Sequence, residues 1–578
     1  MSWRAAAAAT AGVLVFAGCV TIPTRGPVEA VSPVRQGHVD GGVQVHPAPP
    51  QRDASPDVVL AGFLDAMASL EPGLVTARQY LTPQAARSWQ PEGGVMVFDG
   101  DTRTSIPGTT TAGIQARVVG TLDRQGRYAP ATNRTLRQDF TMEQVDGQWR
   151  ITDPPAQMLV SQYTLLHRYS PTSLWFFTPE GTTMVPERVW LPGRPADPQG
   201  AVRVLLQGPS TWLAPAVSSA IPAGTSLRGG SIHVADGLAR IDLHGPLDEL
   251  DDARRSQLVS QLGWTLKSFG QVQSMRILHD GRAWMSPGQD ADGSISLDDL
   301  PGLPPVPLGG EQQPFAVVDG KVGRLDDRGS FSPLGWELSQ EVPGQRAGRL
   351  AVSSSSDTVA VVTSDARRLF TTPLGGDRPR LRLNGTGLGR PAVTATGQVW
   401  VSAMDGAQSS LYRSVDGSDE LQQVHIPELS GATIRAFAVA PDQTRLALVL
   451  RRGEETELAL LRLHDGRVDG LRRLSQASQQ SRLDEVLDVS WAGPEQLMVL
   501  GRQHDRAQPT ASLVSVDGSQ SESVGPAGDG QLVQLATRPQ LDGTDALVRT
   551  ANGRVMRFEA AWRWNSLAEG VDDIAIPS

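Results

Sequence analysis

Apolar residues follow two rhythms along this chain, and the change from one to the other divides it. From residue 56 the period is helical: Val59, Leu60, Phe63, Leu64 and Met67 share one stripe. Ser55-Pro56-Asp57 is a start signal, with a capping side chain and proline at the first helical position. A second helix is expected over Leu74 to Leu81, ending before Pro83. The rhythm then becomes alternating, predicting strands over Ile114 to Leu122, Leu136 to Val145 and, after the Asp146-Gly147 turn, Trp149 to Ile151. Helices followed by antiparallel strands make an α+β unit that should close near Pro154-Pro155. A second unit begins with strands at Leu174 to Phe177 and Met184 to Leu191, then a helix from Asp197-Pro198 to Gly208-Pro209. Strands Ser231 to Ala235 and Leu238 to Leu243 flank Asp236-Gly237. A long helix follows, with Leu258, Leu262, Leu266 and Phe269 on one stripe, ending at Gly270 before the strand Met275 to Leu278.

Beyond residue 313 the alternation repeats. LAVSSSSDTVAVVTS from Leu350, PAVTATGQVWVSA from Pro391, AFAVAPDQTRLALVL from Ala436, DVSWAGPEQLMVLG from Asp488 and QLATRPQLDGTDALVR from Gln534 each read as two strands around a polar turn. A third strand ending in Asp-Gly follows several of them, placing Asp416, Asp465 and Asp517 at spacings of 49 and 52 residues. Four short strands in roughly 45 residues is the pattern of a propeller blade. The remaining length then holds about six blades, with five or seven also compatible. Val317-Val318 and Val555 to Phe558 are the expected partners in a shared closing blade.

The N-terminus has neither rhythm. Arg4, an Ala-rich apolar run to Ala17 and then Gly18-Cys19 have the parts of a secretory signal, and the run is too short to span a bilayer comfortably. A small residue directly before cysteine resembles a bacterial lipobox, which implies cleavage between Gly18 and Cys19 and a diacylated, N-acylated Cys19. Cys19 is the single cysteine of the 578 residues, so no intramolecular disulfide or thiolate metal cluster can form. Residues 19–55 are rich in proline and read as a tether, His38 and His46 included. The expected organisation is a signal peptide at 1–18, the tether at 19–55, α+β units at 56–168 and 169–289, a linker at 290–313 and a propeller at 314–578.

Charge narrows the function classes. The chain carries 52 basic and 62 acidic residues, a net charge of −10, which argues against a protein that grips a phosphate backbone. Fifty of the 52 cations are arginine, the exceptions being Lys267 and Lys321. No Gly-x-Ser-x-Gly elbow or His-Glu-x-x-His motif is present, and residues 56–155 contain no histidine. Asp290 to Asp299 looks like half of a calcium loop. However, Gly288 would occupy the first ligand position and Asp299 the last, so a solvated linker is the better reading. The Gly-rich stretch Asn384 to Gly389 reads as a loop between blades rather than a phosphate cradle. No catalytic, cofactor or metal site is expected, although a carboxylate pair in the propeller channel stays open.

The order of the first unit resembles the cone-shaped NTF2-like fold. LWFFTPEGTTMVPERVWLP with AVRVLLQGP resembles the GerMN domain. With the opening Cys19-Val-Thr-Ile-Pro-Thr24, the whole order resembles the actinobacterial LpqB lipoprotein family. That resemblance implies a non-catalytic accessory lipoprotein, lipid-anchored on the extracytoplasmic face of the cell membrane. It also implies a partner, the outer domain of an MtrB-like sensor kinase in the MtrA–MtrB two-component system. The rival expectations are a cell-wall or small-ligand binding protein and a propeller-based hydrolase.

Overall fold

The computed structural model describes residues 47–577, apart from 70, 92, 106–109, 303–312, 354–357, 377, 416–419, 475–482, 504–505 and 527–529. Gly18, Cys19, His38, His46, Asp416 and the second half of the expected linker therefore lie outside the described residues.

The first module packs the helix Pro56–Met67 against a five-stranded sheet. Ser55 precedes that helix as expected, but its side chain caps nothing; Pro56 sets the first turn, and the Ser55 carbonyl accepts from Val59 N at 3.0 Å. The second predicted helix is shorter than its periodicity suggested, a single 3₁₀ turn at Pro72–Leu74 and a helix over Val75–Gln79. Pro83 starts a further helix to Ser88 instead of only ending the previous one, with Thr82 Oγ1 accepting from Ala85 N at 3.3 Å. Strands Thr111–Leu122, Tyr128–Val145 and Gln148–Ile151 contain the three predicted ones. Val95–Ser105 and Met158–Ser161 complete the sheet and pair in parallel, so the unit runs past Pro154-Pro155 instead of closing there. Phe63, Trp89 and Phe140 fill the space between helix and sheet, their rings 5.4 and 6.3 Å from Phe63.

The middle module joins a hairpin, Tyr169–Phe177 with Met184–Pro192, to a six-stranded sheet through one core. Its long helix, Asp252–Lys267, lies between them with Leu258, Val259, Leu262 and Leu266 fully buried. Asp251 caps it, accepting from Arg254 N at 2.8 Å, and it ends at Lys267, before the expected Gly270. Residues 290–302, read from sequence as solvated linker, belong partly to this module. Ile295–Ser296 pairs with Ser274–His279, Ile295 and Leu297 are buried in the core, and Asp292 binds Arg276 at 2.8 Å.

Six four-stranded sheets follow, five of them meanders and the first a three-stranded meander completed by a strand from the chain's end. Ring closure differs from the expectation in one respect. Phe315–Val318 pairs with Asp573–Ala575, whereas Val555–Ala560 is an inner member of the sixth blade. The alternation at Val555 to Phe558 is real, but the three-residue strand at 573–575 is too short to register as a pattern. Asp465-Gly466 and Asp517-Gly518 both turn the third strand of a blade into its fourth.

The middle module is seated on the fourth and fifth blades. Trp212 Nε1 donates to Gly470 O at 2.6 Å, and the Trp212 carbonyl accepts from Arg462 at 2.5 Å. Ser173 Oγ donates to Glu495 at 2.5 Å, and Arg188 donates to Gln520. Trp190, 1% exposed, is where all three modules meet. Its backbone N–H donates to Gly126 O at 2.7 Å in the first module, and its indole N–H donates to Asp517 at 3.1 Å in the propeller. Gly126 has φ +80°, and a Cβ there would stand 2.3 Å from the Trp190 carbonyl, so both its conformation and the contact require glycine. No helix among the described residues is long and apolar enough to cross a membrane.

Candidate binding site in the propeller channel

The six innermost strands enclose a channel. Four of them carry a bulge at the same level, directly before Arg349, Ala436, Asp488 and Gln534. A bulge re-aims the side chains that follow it, and here the result is a polar waist completed by Arg390 and Asp573. Asp488 accepts from Arg390 Nη1 at 3.0 Å and from the Leu535 N–H of the next blade at 2.9 Å. Asp573 accepts from Leu350 N at 2.8 Å, again across a blade boundary. Gln534 does the reverse, donating to Ile574 O at 2.7 Å while accepting from Arg549 at 2.8 Å. The waist therefore laces neighbouring blades together through buried polar groups whose carboxylates and amide are all hydrogen-bonded across a blade boundary.

Burial sets the ionisation of these groups. Removal from water pushes the Asp573 carboxyl up to about 6, against the pull of Arg390 and the Leu350 N–H. Desolvation also acts to lower Arg390, but the Asp488 and Asp573 carboxylates outweigh it and raise its pKa. Arg549 is lowered, chiefly by burial. The carboxylate pair left open by the sequence is thus present as Asp488 and Asp573. Both are tied to backbone N–H groups, and both act on the guanidinium of Arg390.

The waist separates two unlike mouths. Toward the C-terminal ends of the inner strands the channel widens to a cup of about 550 Å³ walled by Val352, Val393, Phe437, Val439, Ala536 and Ile576. At the other end lies a cavity of about 540 Å³ lined by Arg349, Arg390, Arg435, Glu485, Asp488 and Arg502. There Glu485 is held by Arg435 at 2.8 Å and also by Arg502. Burial acts to raise its carboxyl, but the two guanidinium groups prevail and lower it.

Of the other sequence candidates among the described residues, Gly389 alone reaches this channel, in the lining of the arginine-rich cavity. Asn384 to Gly389 connects the second and third blades, as expected. His244 and His279 meet Asp280 at 2.8 and 3.6 Å on the middle module. No group of three or more His, Cys, Asp or Glu residues is arranged to hold a metal ion among the described residues. Arg390, Asp488 and Asp573 were not legible as site residues. The available signal was a charge opening an apolar inner strand, in GRPAV, DVSW and DDIAI.

Comparison with known proteins bears on the same three modules. Residues 49–165 match the family described as lipoprotein LpqB, N-terminal domain; 171–283 match one described as sporulation and spore germination; 339–578 match the lipoprotein LpqB beta-propeller domain. The chain is 30% identical to lipoprotein LpqB of Cutibacterium acnes over 98% of each sequence. It is 28% identical to that of Thermobifida fusca, over 99% of this chain and 98% of the relative. Among solved structures, 45% of the chain aligns with 96% of a chain in a nidogen/laminin complex at a TM-score of 0.34 and 14% identity.

Proposed function

The chain belongs to the LpqB lipoprotein family, and from that membership we propose that it is an extracytoplasmic, membrane-anchored accessory protein that modulates a sensor kinase of the MtrB type. In this reading Cys19, freed by cleavage after Gly18, carries the acyl chains. At roughly 0.8 kcal/mol per buried CH₂, two or three chains hold the protein at the membrane without a spanning helix. Anchoring raises the local concentration of the folded modules near a membrane-embedded partner, so a weak contact suffices. Modulation follows if the protein binds two signalling states of the kinase with different affinity.

The observation that favours binding over catalysis is the use made of the channel carboxylates. Asp488 and Asp573 each accept a backbone N–H from a neighbouring blade, and Arg390 answers their charge. A hydrolytic pair needs one carboxyl free to deliver a proton and another free to activate water or attack. The two unlike cavities at the channel ends support a second reading, capture of a small or cell-wall ligand.

The test is co-reconstitution of the acylated full chain with the kinase in one vesicle, with kinase phosphorylation as the readout. A change in phosphorylation that Cys19→Ala abolishes is the expected result. Unchanged phosphorylation, together with no binding of the kinase's outer domain at high micromolar concentration, would overturn the kinase reading. The anchor has its own test: Cys19→Ala precursor should stay unlipidated and uncleaved, and normal maturation would remove the lipobox assignment.

A further inference from the structure

We propose that the arginine-lined mouth of the propeller channel is a binding site for a small oxyanion, the phosphate or carboxylate group of a soluble ligand. Four guanidinium groups and two carboxylates line this cavity, a local excess of cations in a chain whose net charge is −10. The pairing within it is unequal. Arg390 has Asp488; Arg435 and Arg502 share the single carboxylate of Glu485; Arg349 donates to the backbone carbonyl of Leu388 at 3.0 Å and feels a carboxylate only at longer range, that of Asp573. Asp573 lies deeper, where Arg390 and Arg549 act on it as well as Arg349.

The mouth is thus a preformed cation cluster that its own acids do not neutralise. The Nε–H of Arg390 is buried and makes no hydrogen bond, and leaving such a donor unmet is costly. A guanidinium presents a rigid fork of donors that matches the paired oxygens of a carboxylate or phosphate. A concave site with low-dielectric walls concentrates the field of such a cluster. At about 540 Å³ the cavity has room for more than one oxyanion group, and Gln508, Gln531 and Ser402 in its lining offer neutral polar contacts to the rest of a small polar molecule. The cup beyond the waist is walled mainly by apolar side chains and counts two arginines in its lining, Arg390 and Arg538, against the four here.

Glu485 is the built-in rival for the site, because it occupies the two arginines that a ligand would otherwise take. Removing its charge should therefore strengthen binding. The experiment is titration calorimetry on the detergent-solubilised full chain at constant ionic strength, with inorganic phosphate in one arm, succinate in another and chloride as the control. Saturable one-to-one binding of phosphate or succinate, absent with chloride, is expected, and the arm that binds identifies the oxyanion. Arg349→Gln should weaken it at least about tenfold with only a small change in melting temperature, since Arg349 makes no direct ion pair and Asp573 keeps Arg390 and Arg549. Glu485→Gln should tighten it. If Arg349→Gln fails to fold, Arg502→Gln, which leaves Arg435 on Glu485, should show the same weakening. No saturable binding in either arm, or binding indifferent to these substitutions, would overturn the proposal while leaving the kinase reading untouched.

Discussion

Trp190 shows how much one side chain can hold when three modules share it. Its ring packs with Val119, Tyr128 and Leu165, the Arg188 guanidinium lies 5.7 Å from the ring centroid, and its indole N–H reaches Asp517. Trp190→Ala should cost about 3–5 kcal/mol in denaturant unfolding, the range for emptying a large buried aromatic site. Trp190→Phe should cost less, because it keeps most of the packing and loses the hydrogen bond. In the channel, Asp488→Ala should cost about as much again, since it strands the Leu535 N–H and removes the charge nearest Arg390. Asp573 makes a prediction with a sign. Its folded pKa of about 6 lies above that of an unfolded aspartate, so between about pH 4 and 6 the native state holds more protons than the unfolded one, and stability falls as pH rises through that window. The loss is on the order of 2–3 kcal/mol. Asp573→Asn should remove it, seen as a flatter difference in unfolding free energy between pH 4 and 6.

At the scale of elements, ring closure rests on a very small piece of chain. Three residues, Asp573 to Ala575, pair with Phe315 to Val317 and complete the first blade, and Ile574 and Ile576 are buried with them. A chain ending after Gly570 should keep a folded first module while its propeller exposes an open sheet edge. Thioflavin binding and dye-accessible apolar surface should both rise. The same element shows where sequence legibility stops. Long alternating runs such as Ala436 to Leu450 announced blades because five or more apolar positions share one face. A three-residue strand has no period to detect, so Val555 to Phe558 looked like the closing partner. Met158–Ser161 escaped for the same reason, and Ile295–Ser296 was hidden by the Asp-Gly-Ser signal before it. The helices were legible wherever an apolar stripe ran for three turns, as at Leu258 to Phe269. The channel waist was not, because its residues lie far apart in the chain and meet only when the ring closes.

For the whole molecule, the seam between the middle module and the propeller decides whether the modules act as one body. That seam buries ionisable groups: Arg445 is paired with Asp442, and Asp517 receives Ser515, Ser519 and the Trp190 indole. Burial raises the Glu495 carboxyl there, while Arg188 and Arg445 oppose the shift. Partners so thoroughly desolvated are strongly interdependent, so the first two modules and the propeller should unfold in a single calorimetric transition. Arg188→Ala combined with Trp212→Ala should split that transition into two. The ring also imposes an order of events. Its first and last strands are more than two hundred positions apart, so if the chain is exported as proposed, N-terminus first, it cannot close the circle until residues 573–575 have crossed the membrane. If acylation at Cys19 comes first, the propeller is assembled by a chain already fastened at one end, beside the lipid surface, and export becomes the clock that times its folding.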